Sequence, residues 1–107
     1  MNIEEINVTE LKERFDHSEP FELIDVREQE EHEICHIKEA QLVPLSTFTS
    51  EAVNWDTSKE YIVMCKMGGR SARACEWLLS NGFENVRNVE GGIMAWAEEI
   101  DPTMEQY

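Results

Sequence analysis

Basic side chains are scarce in this 107-residue chain: nine Lys and Arg stand against 23 Asp and Glu, for a formal charge of -14 and a pI near 4.4. A surface so acidic repels phosphate backbones and anionic lipid headgroups, which excludes nucleic acid and membranes as expected partners. Long apolar runs are missing as well. None exceeds five residues, Tyr61–Cys65 being one of that length, against the roughly 20 needed to span a bilayer. The opening Met-Asn-Ile-Glu-Glu is acidic where export leaders are basic, so a cytoplasmic location is expected. Cysteine is limited to Cys35, Cys65 and Cys75, an odd number that allows no complete disulfide framework and suits a reducing compartment.

What is present is a globular composition, with 41% apolar residues and a mean hydropathy of -0.49. One domain over residues 1–107 is expected, with about 101–107 forming a frayed polar tail behind Pro102. Thr9 is placed to cap a first helix in which Leu11 and Phe15 share a face and Glu10 can pair with Arg14. Phe21–Val26 and Tyr61–Cys65 are largely unbroken apolar runs, the pattern of strands covered on both faces of a parallel sheet. Val86–Val89 is a further strand. Ala74, Cys75, Leu78 and Leu79 form one helical stripe, ended by Gly82 with Phe83 set to touch Leu78. Ile93, Trp96, Ala97 and Ile100 form another. Strands alternating with helices predict an α/β fold with a mostly parallel sheet, whose ligands bind at the carboxyl ends of the strands.

At one such end the chain reads Cys65-Lys66-Met67-Gly68-Gly69-Arg70-Ser71 and then enters the helix of Ala74 and Leu78. Adjacent glycines let the backbone curl so that successive N–H groups point inward, and the helix start adds its positive end. Such a nest stabilises an anion, and the anion at hand is Cys65 as thiolate, the nucleophilic form of cysteine. Lys66, Arg70 and Arg73 lie close by in a stretch without acid. Met67 is expected at the pocket rim, Cys75 in the core with Trp55, Trp77 and Trp96 as packing residues, and Cys35 outside any stripe, where it could react with Cys65 if it lay near.

Three motifs in order resemble the rhodanese, or thiosulfate-sulfurtransferase-like, family across nearly the whole chain. They are Leu23-Ile24-Asp25-Val26-Arg27, the Cys65–Ser71 loop, and Asn88-Val89-Glu90-Gly91-Gly92-Ile93-Met94-Ala95-Trp96. Between the first two, Glu31, His36-Ile37, Ala40 and Pro44 match a further family segment, in which Cys35, Lys38 and Glu39 stand in place of its Gly, Pro and Gly. The resemblance implies a five-stranded parallel sheet flanked by helices on both faces. It also implies that Cys65 carries a sulfane sulfur as a persulfide from a donor such as thiosulfate to a thiophilic acceptor, cyanide or a thiol. The shorter Cys-x4-Arg loop is the form the family associates with sulfur transfer, whereas its phosphatase and arsenate-reductase relatives have Cys-x5-Arg. Arg70 would orient the donor's anionic end, Lys66 would steer it in, and Met67, Gly68, Gly69 and Ser71 would complete the binding loop. Asp25 and Arg27 are read as a pair, or a cap, that braces the loop from outside.

His32-Glu33-Ile34-Cys35-His36 matches the zinc-peptidase pattern His-Glu-x-x-His. The pattern runs at once into a loop, and His17 is the one histidine left to serve as third ligand, so a zinc hydrolase is the discounted alternative. His36 is read as a hydrogen-bonded structural residue, and neither metal nor cofactor is expected. A persulfide carrier or protein-binding module without rapid turnover is the other alternative.

Overall fold

The computed structural model describes residues 2–107 and has the element order β1 (Glu4–Ile6), α1 (Val8–Asp16), β2 (Glu22–Asp25), α2 (Gln29–Ile34), β3 (Gln41–Leu42), α3 (Leu45–Ala52), β4 (Tyr61–Met64), α4 (Gly69–Ser80), β5 (Val86–Val89) and α5 (Gly92–Glu99). The strands form one five-stranded sheet in the order β1-β5-β4-β2-β3. Every pairing is parallel. β4 is therefore central, with Leu23 opposite Ile62 on one side and Asn88 opposite Val63 on the other.

The unbroken apolar character of β4 follows from burial on both faces. Tyr61 and Val63 belong to a core with Phe48 of α3 and Leu78 of α4. Ile62 and Met64 point the other way, into a core with Leu11 of α1 and Ile93 and Trp96 of α5. Alternate side chains thus feed opposite layers, and a polar residue at any of the four positions would be stranded. Phe48, fully buried, meets Trp55 and Trp77 edge-on. Each such aromatic or aliphatic burial contributes roughly 1.5–3 kcal/mol.

Local signals set the element ends, with one correction. The cap of α1 is Asn7 rather than Thr9: the Asn7 side chain accepts the Glu10 N–H at 2.8 Å and the Glu10 carboxylate accepts the Asn7 N–H at 3.1 Å. That reciprocal arrangement satisfies two end donors at once, which Thr9 two positions further on cannot do. Glu10 is thereby committed to the cap, and Arg14 pairs instead with Glu60 and Glu19. Gly82 takes the left-handed φ of +89° and the Phe83 N–H reaches the Leu78 carbonyl at 3.1 Å, closing α4 as expected.

The stretch from Asp101 to Tyr107 departs from the expectation of fraying. The Asp101 N–H bonds the Trp96 carbonyl at 2.9 Å, and Met104 and Tyr107 pack on the α1/α5 core. Apolar side chains at Met104 and Tyr107 give this segment something to bury, so it turns back over the carboxyl ends of the strands.

Candidate active site

Cys65 follows the last residue of the central strand, where the chain leaves the sheet for the loop before α4. Its residue is almost fully buried. The sulfur accepts the Gly68 N–H at 3.1 Å and faces the Ser71 hydroxyl at 3.3 Å. Gly68 adopts φ +114°, a left-handed conformation that turns its N–H back toward the sulfur. Burial pushes the Cys65 thiol up, but the Ser71 hydroxyl and the N–H groups of Ser71, Gly68 and Met67 outweigh it, and the net shift is downward. Cys75 shows the opposite balance. Fully buried on α4, it is pushed up to about 12 by desolvation and stays an inert thiol.

Two residues of the closing motif, neither of them among the expected site residues, hold this loop. Asn88, a buried polar residue of β5, accepts the Ser71 hydroxyl at 2.5 Å and donates from Nδ2 to the Gly68 carbonyl at 3.1 Å. The Ser71 hydroxyl has one hydrogen and two acceptors, so it donates to Asn88 beside a neutral thiol and can turn to the sulfur of a thiolate. The visible signal for Asn88 was an amide beside Arg87 in a strand that reads Val-Arg-Asn-Val, just ahead of the glycine pair. Gly92 is the second. The N–H groups of Ile93 and Met94, at the start of α5, reach the carbonyls of Cys65 at 2.9 Å and Lys66 at 3.2 Å. A Cβ on Gly92 would lie 2.5 Å from the Cys65 carbonyl oxygen, so only glycine permits this approach.

The remaining expected site residues differ in exposure and in partners. Met67 is 69% exposed at the rim. Arg70 does not stand open: its two terminal nitrogens donate to Glu31 Oε1 at 2.6 Å and Oε2 at 2.8 Å. Lys66 Nζ lies 4.4 Å from the centre of the Tyr107 ring. Asp25 and Arg27 pair in full burial, Nη2 to Oδ2 at 2.8 Å, and Arg27 also donates from Nη2 to the Cys35 carbonyl at 2.7 Å and from Nη1 to the Tyr107 hydroxyl at 3.0 Å. None of the Arg27 bonds goes to Cys65; the pair ties β2 to α2 and to Tyr107.

Cys35 is buried with Leu23, Ile62 and Met64, on the sheet face opposite the cluster that contains Cys65. The sheet therefore lies between the two packing environments, which argues against sulfur transfer or a disulfide between Cys65 and Cys35. The His-Glu-x-x-His stretch straddles the end of α2 at Ile34. The two imidazoles stack at 4.1 Å, and His36 Nδ1 lies 3.1 Å from the His32 carbonyl, so their nitrogens do not converge on one point. Among the described residues no cluster of three or more His, Cys, Asp or Glu side chains suits a metal ion. No helix there is long and apolar enough to cross a membrane.

The rhodanese-like domain family matches residues 7–99, which include Asp25, Glu31, the Cys65 loop and Gly92. The chain belongs to that family. A rhodanese-like domain protein of Staphylococcus aureus superimposes with a TM-score of 0.84 at 33% identity, over 98% of this chain and 99% of that one. The "Putative sulfurtransferase YtwF" of Bacillus subtilis is 40% identical over 102 residues, covering 95% of this chain and 98% of the relative. The "Putative sulfur carrier protein YrkF" of the same organism is 33% identical over 100 residues, and this chain spans 54% of its length. For this rhodanese-like domain, the family and its relatives support sulfur transfer as the general class of activity.

Proposed function

We propose that this chain is a sulfurtransferase in which Cys65 takes a sulfane sulfur from a donor such as thiosulfate and passes it to a thiophilic acceptor, cyanide or a thiol. The observation that carries this reading is the ring of donors around one sulfur: the Gly68 N–H at 3.1 Å and the Ser71 hydroxyl at 3.3 Å, with the N–H groups of Met67 and Ser71 beside them. Such a ring favours the thiolate that attacks the donor, and the positive start of α4 favours the negative charge that the persulfide then carries on its terminal sulfur, one bond beyond Sγ. With thiosulfate, the Cys65 thiolate forms a bond to the outer sulfur, the bond between the two thiosulfate sulfurs breaks, and sulfite leaves with the electron pair. Cyanide then attacks the terminal sulfur, thiocyanate leaves, and the thiolate is restored.

In this reading Lys66 and Arg70 supply the positive potential that draws an anionic donor to the loop, and Gly69 lets the chain pass into α4. Asp25 and Arg27 act by position, through β2 and α2. Three free cysteines suit a reducing cytoplasm. The test is intact mass. Wild-type protein exposed to millimolar thiosulfate is expected to gain one sulfur that cyanide removes, and Cys65→Ser is expected to fold and gain none. A serine variant that acquires a cyanide-labile sulfur at the wild-type rate overturns the assignment. Loading without repeated thiocyanate release identifies a carrier in place of an enzyme.

A further inference from the structure

The carboxylate of Glu31 is held from three directions. Both terminal nitrogens of Arg70 reach it, the Glu28 N–H donates to Oε1 at 3.0 Å, and the Tyr107 hydroxyl donates to Oε2 at 2.7 Å. Tyr107 is itself fixed, because its hydroxyl accepts from Arg27, and Arg27 is locked by Asp25. Arg70, Glu28 N–H and Tyr107 hold the Glu31 carboxyl down at about 2 against the effect of burial, so a full negative charge stands there across the working pH range. Arg70 is close enough to Cys65 for the sulfur's charge to help keep the guanidinium protonated. A donor approaching the sulfur therefore meets an arginine whose two terminal nitrogens each already donate one hydrogen to Glu31, a fixed carboxylate beside it, and Lys66 under the Tyr107 ring.

Resting on the sulfur-transfer reading above, we propose that Glu31, clamped between Arg70 and Tyr107, is a specificity-determining residue that selects sulfur donors carrying one negative charge or none over dianionic donors. A dianion must either displace Glu31 from Arg70, losing two charge-assisted bonds, or accept a carboxylate neighbour. A monoanion is served by Lys66 and the remaining arginine hydrogens. The preferred donor class is a thiosulfonate-like monoanion or a neutral hydrodisulfide.

Two matched donors separate charge from chemistry: thiosulfate, a dianion, and methanethiosulfonate, a monoanion with the same sulfane sulfur on a sulfonyl group. In both, the Cys65 thiolate bonds the sulfane sulfur and the old S–S bond breaks, its electron pair leaving on sulfite or methanesulfinate. Steady-state kinetics at low salt are expected to show Glu31→Gln raising the ratio of thiosulfate to methanethiosulfonate kcat/KM about tenfold, the effect of one unit charge several ångström away in a half-solvated mouth. The gain is expected mainly in the thiosulfate KM, to shrink in 0.5 M KCl, and to vanish in Glu31→Asp, which restores the charge. Tyr107→Phe, which removes one bond to Glu31 and keeps the ring over Lys66, is expected to move the ratio the same way by a smaller factor. An unchanged ratio, or equal losses with both donors while the persulfide still forms on Cys65, overturns the proposal and leaves the sulfur-transfer reading standing. Failure of both donors to load the wild type overturns that reading, and this proposal with it.

Discussion

Gly92 lies against the Cys65 carbonyl: a Cβ at that position would sit 2.5 Å from the oxygen, and the next residue's N–H bonds the same carbonyl at 2.9 Å. The start of α5 is thus pressed onto the backbone of the loop that carries the reactive sulfur, and the closing Gly-Gly pair of the sequence is there for close approach. Gly91 and Gly92 also hold φ of +76° and +59°.

Gly92→Ala is therefore expected to cost about 2–5 kcal/mol, from left-handed strain plus overpacking against main chain that has no side chain to move aside. Denaturant melts should show it as a lower midpoint with an unchanged slope, and persulfide formation on Cys65 should slow. An alanine variant as stable as the parent would mean that the loop relaxes away from α5 at little cost.

The Ser71 hydroxyl, with the N–H groups of Ser71, Gly68 and Met67, lowers the Cys65 thiol against burial, so Ser71→Ala should move the pH midpoint of its alkylation upward. In the wild type that midpoint should lie below that of an ordinary cysteine, about 8.5. Because the fold favours the ionised form, the associated stability is fully present above the unfolded thiol's pKa and is lost as pH falls through the lower folded value. Cys65→Ser should lack that dependence. All three cysteines are buried, so iodoacetamide uptake should follow thiolate character, and the first equivalent should go to Cys65, whose thiol the surrounding donors lower. Peptide mapping of the first-labelled site checks this, and prior labelling of Cys35 would refute it.

Arg27 and Asp25 are both fully buried and bonded to one another. Arg27→Met should destabilise the fold by about 3–5 kcal/mol, because it leaves the Asp25 charge without its partner in a dry interior. The double variant Asp25→Asn with Arg27→Met should recover part of that loss. A double-mutant cycle with no coupling would show that the pair is not the unit the geometry makes it.

Much of the fold was legible locally. An unbroken run such as Tyr61–Met64 has to be covered on both sides, since its alternate side chains face opposite ways, and that alone points to a central parallel strand. The cysteine, the two glycines and the cations of the loop are contiguous, so their chemistry could be read from a seven-residue stretch. Two local patterns resolve differently in the fold: Asn7 makes the reciprocal cap in place of Thr9, and the polar segment behind Pro102 carries two apolar side chains, Met104 and Tyr107, that pack on a core.

What only the tertiary structure decided is which distant groups surround that stretch. Asn88 reaches the loop across 20 positions because β5 lies beside β4 in a register that sets it opposite Val63. Glu31 reaches Arg70 across 39 positions and Tyr107 reaches Arg27 across 80. The sequence places three cations near the thiol; strand order and the returning tail determine how far two of them are neutralised or covered. Charge acts through space, with a strength set by distance and solvent exposure, and neither quantity exists until the chain has folded.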